Sequence, residues 1–225
     1  TAPLPVYGPQ GVQSVTDGFN TSYAQDEVYR HDHHGDTVAP LSGAGMEARP
    51  FPAPPLGELE TLIDEGGLKI EALLVDHAPI KPAVGYRFTY KGRSLLITGD
   101  TVKLPNIEKF SQGVDLLVHE ALAPNLLIMM NEAATAVGNK VMAKVTHDVL
   151  DYHTSPVEAA ETARDADVGH LLYYHIVPPL VFPGQEALFL DGAEDIFAEY
   201  TVGRDGTAFS LPAGSKEIIR TADGL

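Results

Sequence analysis

Apolar residues recur along the chain in two periods, and the change from one to the other divides it. Val12, Val15, Phe19 and Tyr23 fall at three- and four-residue intervals. That spacing lines one face of an α-helix and predicts a helix over residues 10–30. The preceding Thr1–Pro9 reads as a short strand ending at a Gly-Pro turn. Residues 31–57 are rich in His, Gly and Pro and read as a surface loop or lid. Beyond them the period shortens to two. Leu68–Val75 alternates, while Val84–Tyr90 and Ser94–Thr98 flank Lys91-Gly92-Arg93, a hairpin turn in which Gly supplies the positive φ. Asp115–Val118 is a short apolar strand, and residues 124–135 and 139–152 return to a helical pattern.

The sharpest local signal is Ser155-Pro156-Val157-Glu158. Ser is a natural N-cap, Pro suits the first helical turn, and Glu three residues on completes a capping box. Ala159, Ala160, Ala163 and Ala166 then predict a slim helix able to approach a sheet closely. Val168–Ile176 follows as a buried strand stopped by Pro178-Pro179. Residues 184–200 read as helical and 200–221 as short strands. A β-rich centre followed by helix–strand alternation predicts a layered α/β protein.

Composition narrows the chemistry. With 225 residues and 44% hydrophobic content, the chain has enough material for one sizeable core. No apolar run approaches the ~20 residues of a membrane span, so a soluble protein is expected, cytoplasmic or periplasmic. Cysteine is absent, which excludes disulfides, thiolate catalysis and Cys-type zinc. A metal site would have to use carboxylates and the nine histidines. The formal charge of −16, without a Lys/Arg cluster, disfavours a nucleic-acid partner and favours a small-molecule substrate.

Four polar residues stand at strand ends: His77 after Leu73-Leu74-Val75, Asp100 after Ile97-Thr98-Gly99, His119 after Leu116-Leu117-Val118, and His175 after Tyr173-Tyr174. Strand ends share a rim of a sheet, where α/β enzymes place their sites. Any one of them alone is more often an ordinary hydrogen-bonded residue; four in order point to a site.

The ordered set Val75-Asp76-His77, Gly85-Tyr86-Arg87, Thr98-Gly99-Asp100-Thr101, His119-Glu120-Ala121, His153-Thr154-Ser155 and His175-Ile176-Val177-Pro178-Pro179 resembles the metallo-β-lactamase superfamily, in its ribonuclease Z and arylsulfatase-like branch. Leu4-Pro5-Val6-Tyr7-Gly8-Pro9 matches the strand following that family's first metal motif. The resemblance implies an αββα sandwich forming a single domain over residues 1–225. It assigns His77 to the first metal, Asp100 as a carboxylate bridging both metals, and His175 to the second. His153 would give a proton to the leaving group, and His119 and Glu120 would support the site. Two zinc ions are implied, with manganese or iron as alternatives, generating hydroxide that cleaves a small ester: phosphodiester, sulfate ester or lactone.

Two departures qualify that expectation. The family's His-x-His-x-Asp-His signature has no place before Leu4, so the chain is expected to be a fragment missing the N-terminal part of the fold. Alone it would be inactive and would pair with that segment. The run His31-Asp32-His33-His34-Gly35-Asp36 has His-x-His but the wrong sequel, and reads as lid rather than metal site. Between His77 and Asp100 there is room only for a hairpin, not for a tRNA-gripping arm, which disfavours tRNA maturation. The alternatives are a metal-poor relative that binds a ligand or partner, and a ribonuclease Z-like nuclease. A homodimer is the default oligomer.

Overall fold

The computed structural model describes residues 1–223. The chain folds as two compact units, Thr1–Ala53 and Pro54–Leu225.

The first unit holds β1 (Leu4–Gly8), α1 (Val12–Val38), a 3₁₀ turn (Leu41–Gly43) and β2 (Met46–Pro50). β1 and β2 pair in parallel, Leu4 opposite Met46. Asn20 fastens α1 to β2: its side-chain NH₂ donates to Met46 O at 2.9 Å, and its Oδ1 accepts from Met46 N–H at 2.8 Å. The helix was expected to stop near residue 30 and give way to a loop. Instead it continues through His31, His33 and His34, because no proline interrupts residues 10–39. Gly35, at φ 69°, kinks it before Pro40 ends it. Residues 31–57 thus contain a helix end, a turn and a strand, not one open loop.

The second unit is built on a seven-stranded sheet in the order β3 (Leu59–Glu65), β4 (Leu68–His77), β5 (Ile80–Tyr90), β6 (Arg93–Ile97), β7 (Leu116–Leu122), β8 (Leu171–Val177), β9 (Tyr200–Val202). Pairing is antiparallel from β3 to β6 and parallel from β6 to β9. The connections supply α2 (Pro105–Ser111), α3 (Pro124–Ala136), α4 (Lys140–Asp148), α5 (Pro156–Asp165) and α6 (Gln185–Leu190), and β10 (Thr207–Ser210) pairs with β11 (Ile219–Asp223). Hairpins join the antiparallel half and helices cross over in the parallel half, as chain geometry requires. β3 and α2 were not anticipated from the pattern. The helix expected over 184–200 shortens to Gln185–Leu190, since Gly192, at φ 79°, breaks it.

One sheet face forms the core. Leu73, Leu96, Leu117, Leu171 and Tyr173 are fully buried against α5, whose Ala159, Ala160 and Ala163 have no exposed surface. Those alanines leave no side chain to hold helix and sheet apart. The capping box forms as the sequence predicts: Ser155 Oγ accepts from Glu158 N–H at 3.3 Å, and Glu158 Oε2 accepts from Ser155 N–H at 2.9 Å. On the opposite face Ile70, Tyr86, Phe88, Leu95, Ile97 and Leu172 remain half-buried. No helix among the described residues is long and apolar enough to cross a membrane.

Candidate active site

Two glycines let the sheet deliver its polar residues. A side chain at Gly85 would lie 2.7 Å from Thr98 O and 2.8 Å from Ile97 O, so β5 can pass under the end of β6 only as glycine. Gly99, at φ 67°, turns the chain out of β6, and a Cβ there would meet Val84 O at 2.8 Å. The next residue is Asp100. On β8, His175 is an extra residue in the ladder: Tyr174 faces Glu120 and Ile176 faces Ala121. His175 takes φ 43°, a left-handed conformation that costs a non-glycine residue about 1–2 kcal/mol. Such strain gathers at functional positions.

Those devices bring the three nominated metal ligands together. His77 Nε2 lies 3.9 Å from Asp100 Oδ2, and His175 Nε2 lies 3.2 Å from the same oxygen. His77 Nδ1 is 3.1 Å from Tyr152 O. Only an N–H can donate to a carbonyl, so in the neutral ring Nε2 carries the lone pair, aimed at a carboxylate beyond hydrogen-bond reach. A lone pair facing an anion is unfavourable unless a cation lies between them. A backbone carbonyl behind the ring is also the usual orientation of a metal-ligating imidazole. The donor set therefore fits a metal in its chemistry. It is incomplete: among the described residues no group of three or more His, Asp or Glu closes into a metal-holding set.

His153 stands among these residues. Its ring centroid is 5.3 Å from that of His77 and 5.7 Å from that of His175, and Tyr152 packs on both His77 and His153 at 4.9 Å. His153 Nδ1 lies 3.1 Å from Glu120 Oε1, a close contact without hydrogen-bond alignment. Glu120 has no exposed surface, and Oε1 accepts from Thr101 N–H at 3.1 Å and Thr154 N–H at 3.0 Å. The buried carboxylate thus ties the residue after Asp100 to the residue after His153. His119 points away from this cluster into the core. It is fully buried, Nδ1 is 2.7 Å from Glu120 O, and burial lowers its pKa against the opposing pull of Glu120 and Glu158.

Sequence reasoning missed Tyr174, whose hydroxyl sits beside the Gly99 backbone and the Thr98 side chain. Burial, and then the Asp100 charge, push its pKa up to about 12, so it stays a neutral phenol. Its place beside His175 was the available signal. The amides of Thr101 and Thr154 and the carbonyl of Tyr152 gave none, because every residue type carries such groups. A groove of about 1010 Å³ runs from Tyr174 and His175 across Leu172 and Val118 to Phe182 and Arg204. His31, His33 and His34 belong to α1 of the first unit.

Comparison with known proteins identifies relatives in sequence and in fold. The β-lactamase superfamily domain matches residues 2–176. A ribonuclease Z of Mycobacterium tuberculosis (strain H37Rv) is 32% identical over 185 residues, which is 82% of this chain and 60% of the relative. A ribonuclease Z of Mycolicibacterium paratuberculosis is 33% identical over 184 residues, 82% of this chain and 58% of that one. The chain therefore spans about three fifths of the length of these relatives. Among solved structures, the metallo-β-lactamase fold protein YhfI from Bacillus subtilis superposes with a TM-score of 0.50 at 18% identity, covering 88% of this chain and 61% of that one. Zn²⁺-bound PqqB from Methylobacterium extorquens superposes with a TM-score of 0.53 at 14% identity, covering 93% and 65%. These structural likenesses speak to the fold alone. The chain belongs to the metallo-β-lactamase superfamily of hydrolases, and its superfamily domain is homologous to ribonuclease Z.

Proposed function

We propose that this chain carries ligands of a two-metal hydrolytic site that cleaves a small ester, of the phosphodiester, sulfate ester or lactone class. The observation that carries the reading is the approach of His77 and His175 to one oxygen of Asp100, at 3.9 and 3.2 Å. His77, Asp100 and His175 would hold the metals. Zinc suits this set and is bound by the structural relative PqqB. When bound, a metal pair lowers the pKa of a water enough to supply hydroxide and offsets charge developing on the ester. The protein's own groups orient and move protons. Tyr152 O orients the His77 ring, Glu120 Oε1 lies 3.1 Å from His153 Nδ1, and His153, between the two ligand histidines, gives a proton to the leaving oxygen.

Two features support a small substrate. β4 and β5 are joined tightly, with His77 opposite Ile80, which leaves no arm to grip RNA. The −16 charge opposes a polyanion. A second reading, an RNA endonuclease, is favoured by the ribonuclease Z relatives at 32–33% identity. The deciding experiment measures metal content and turnover of bis-p-nitrophenyl phosphate, p-nitrophenyl sulfate and a lactone by the intact protein, beside binding of a structured RNA. Turnover of one small ester, lost about a hundredfold or more in Asp100→Asn together with the metal, supports the first reading. Tight RNA binding that weakens steeply with salt would move the assignment to the second. Full metal loading with neither outcome sinks both, leaving a binding protein.

A further inference from the structure

β6 and β7 pair only as far as Ile97 and Val118, and Thr98 N–H adds a last rung to Val118 O at 3.0 Å. The chain then turns at Gly99 and leaves the ladder to place Asp100. A strand continuing alongside β7 would have used the N–H and C=O of Glu120, which face the same side as those of Val118. With that strand gone, two buried main-chain groups need other partners. Both find side chains. Glu120 N–H donates to Thr98 Oγ1 at 3.3 Å, and Glu120 C=O accepts from His119 Nδ1–H at 2.7 Å.

The remaining atoms of His119 show what the ring is there for. Its Nε2 is buried and has no partner among the described residues. A core position filled for packing alone is better served by an apolar residue, because a dry, unpaired nitrogen is destabilising. One directed N–H accounts for the choice: with the proton on Nδ1, Nε2 keeps only its lone pair. The peptide that this bond fixes carries the Glu120 carboxylate, which receives Thr101 N–H and Thr154 N–H and contacts His153.

We propose that His119 is a positioning residue: its Nδ1–H stands in for the departed strand, holds the Glu120 peptide, and through it aims the carboxylate that organises Asp100's and His153's neighbours. It acts through Glu120 and touches no reacting group. The inference rests on the proposed function only for the use it gives His153.

Amide hydrogen exchange on the intact protein tests it without turnover, so either reading can fail alone. Asparagine carries a donor at the place of Nδ1, and glutamine one at the place of Nε2. In His119→Asn the Thr101 and Thr154 amides should keep their protection. In His119→Gln and His119→Leu they should exchange about tenfold faster, while Leu96 and Leu171 amides elsewhere in the sheet stay unchanged. Thr98→Val, which removes the other stand-in partner, should loosen the same two amides and serves if His119→Leu fails to fold. Rescue by Gln instead of Asn, or a uniform loss of protection across the sheet in every variant, would overturn the proposal.

Discussion

At the residue scale, the two histidines with lowered pKa set a pH limit on stability. Burial lowers His119, and burial, aided by Arg220, lowers His170. The unfolded chain takes up these protons below about pH 6.5, whereas the folded protein resists them until its own lower pKa values are reached. In that window the unfolded state binds more protons, so stability rises with pH and levels off above about pH 7. Denaturant unfolding at pH 7.5, 6.0 and 5.0 should therefore show a falling midpoint, with a shallower fall in His119→Asn, which has no ring to protonate. A flat profile in the parent protein would contradict the neutral, buried assignment. The same scale shows how much of the site the sequence disclosed. His77, Asp100 and His175 were legible because each follows an apolar strand and falls in a family-like order. Their convergence on one oxygen was not, because it depends on the turn at Gly99 and the inserted residue at His175. Tyr152 O and Thr154 N–H were hidden altogether, being main-chain groups.

At the scale of elements, the signals that survived best were those with a local cause. The Ser155 capping box formed as expected because both its hydrogen bonds close within four residues. The loop expected at 31–57 gave way to the end of α1, because a composition rich in His and Gly does not stop a helix without proline. β3 escaped notice because its burial is only partial, which blurs the alternation. The cap matters to the site as well as to α5, since Thr154 immediately precedes it and donates to Glu120 at 3.0 Å. Ser155→Ala should cost about 1 kcal/mol of stability, read from urea unfolding. The Thr154 amide should lose exchange protection along with the first turn of α5. Destabilisation without any change at Thr154 would separate the cap from the site.

At the scale of the whole molecule, the two faces of the seven-stranded sheet are buried to different degrees among the described residues. α5 and its neighbours bury Leu73, Leu96, Leu117 and Leu171 completely, while Ile70, Tyr86, Phe88, Leu95 and Leu172 on the other face stay half-buried. The groove of about 1010 Å³ beside His175 lies partly over that face, at Val118 and Leu172. A contiguous exposed apolar surface normally marks an interaction site. Self-association of the chain would cover this face. Its charge of −16 opposes that at low ionic strength, and salt screens the repulsion, with a Debye length of about 8 Å at 0.15 M. Sedimentation equilibrium of residues 1–225 should show dimers or larger species that grow as salt is raised, with binding of an apolar dye that falls as they form. A monomer at every salt concentration that binds no dye would show this face to be satisfied as it stands.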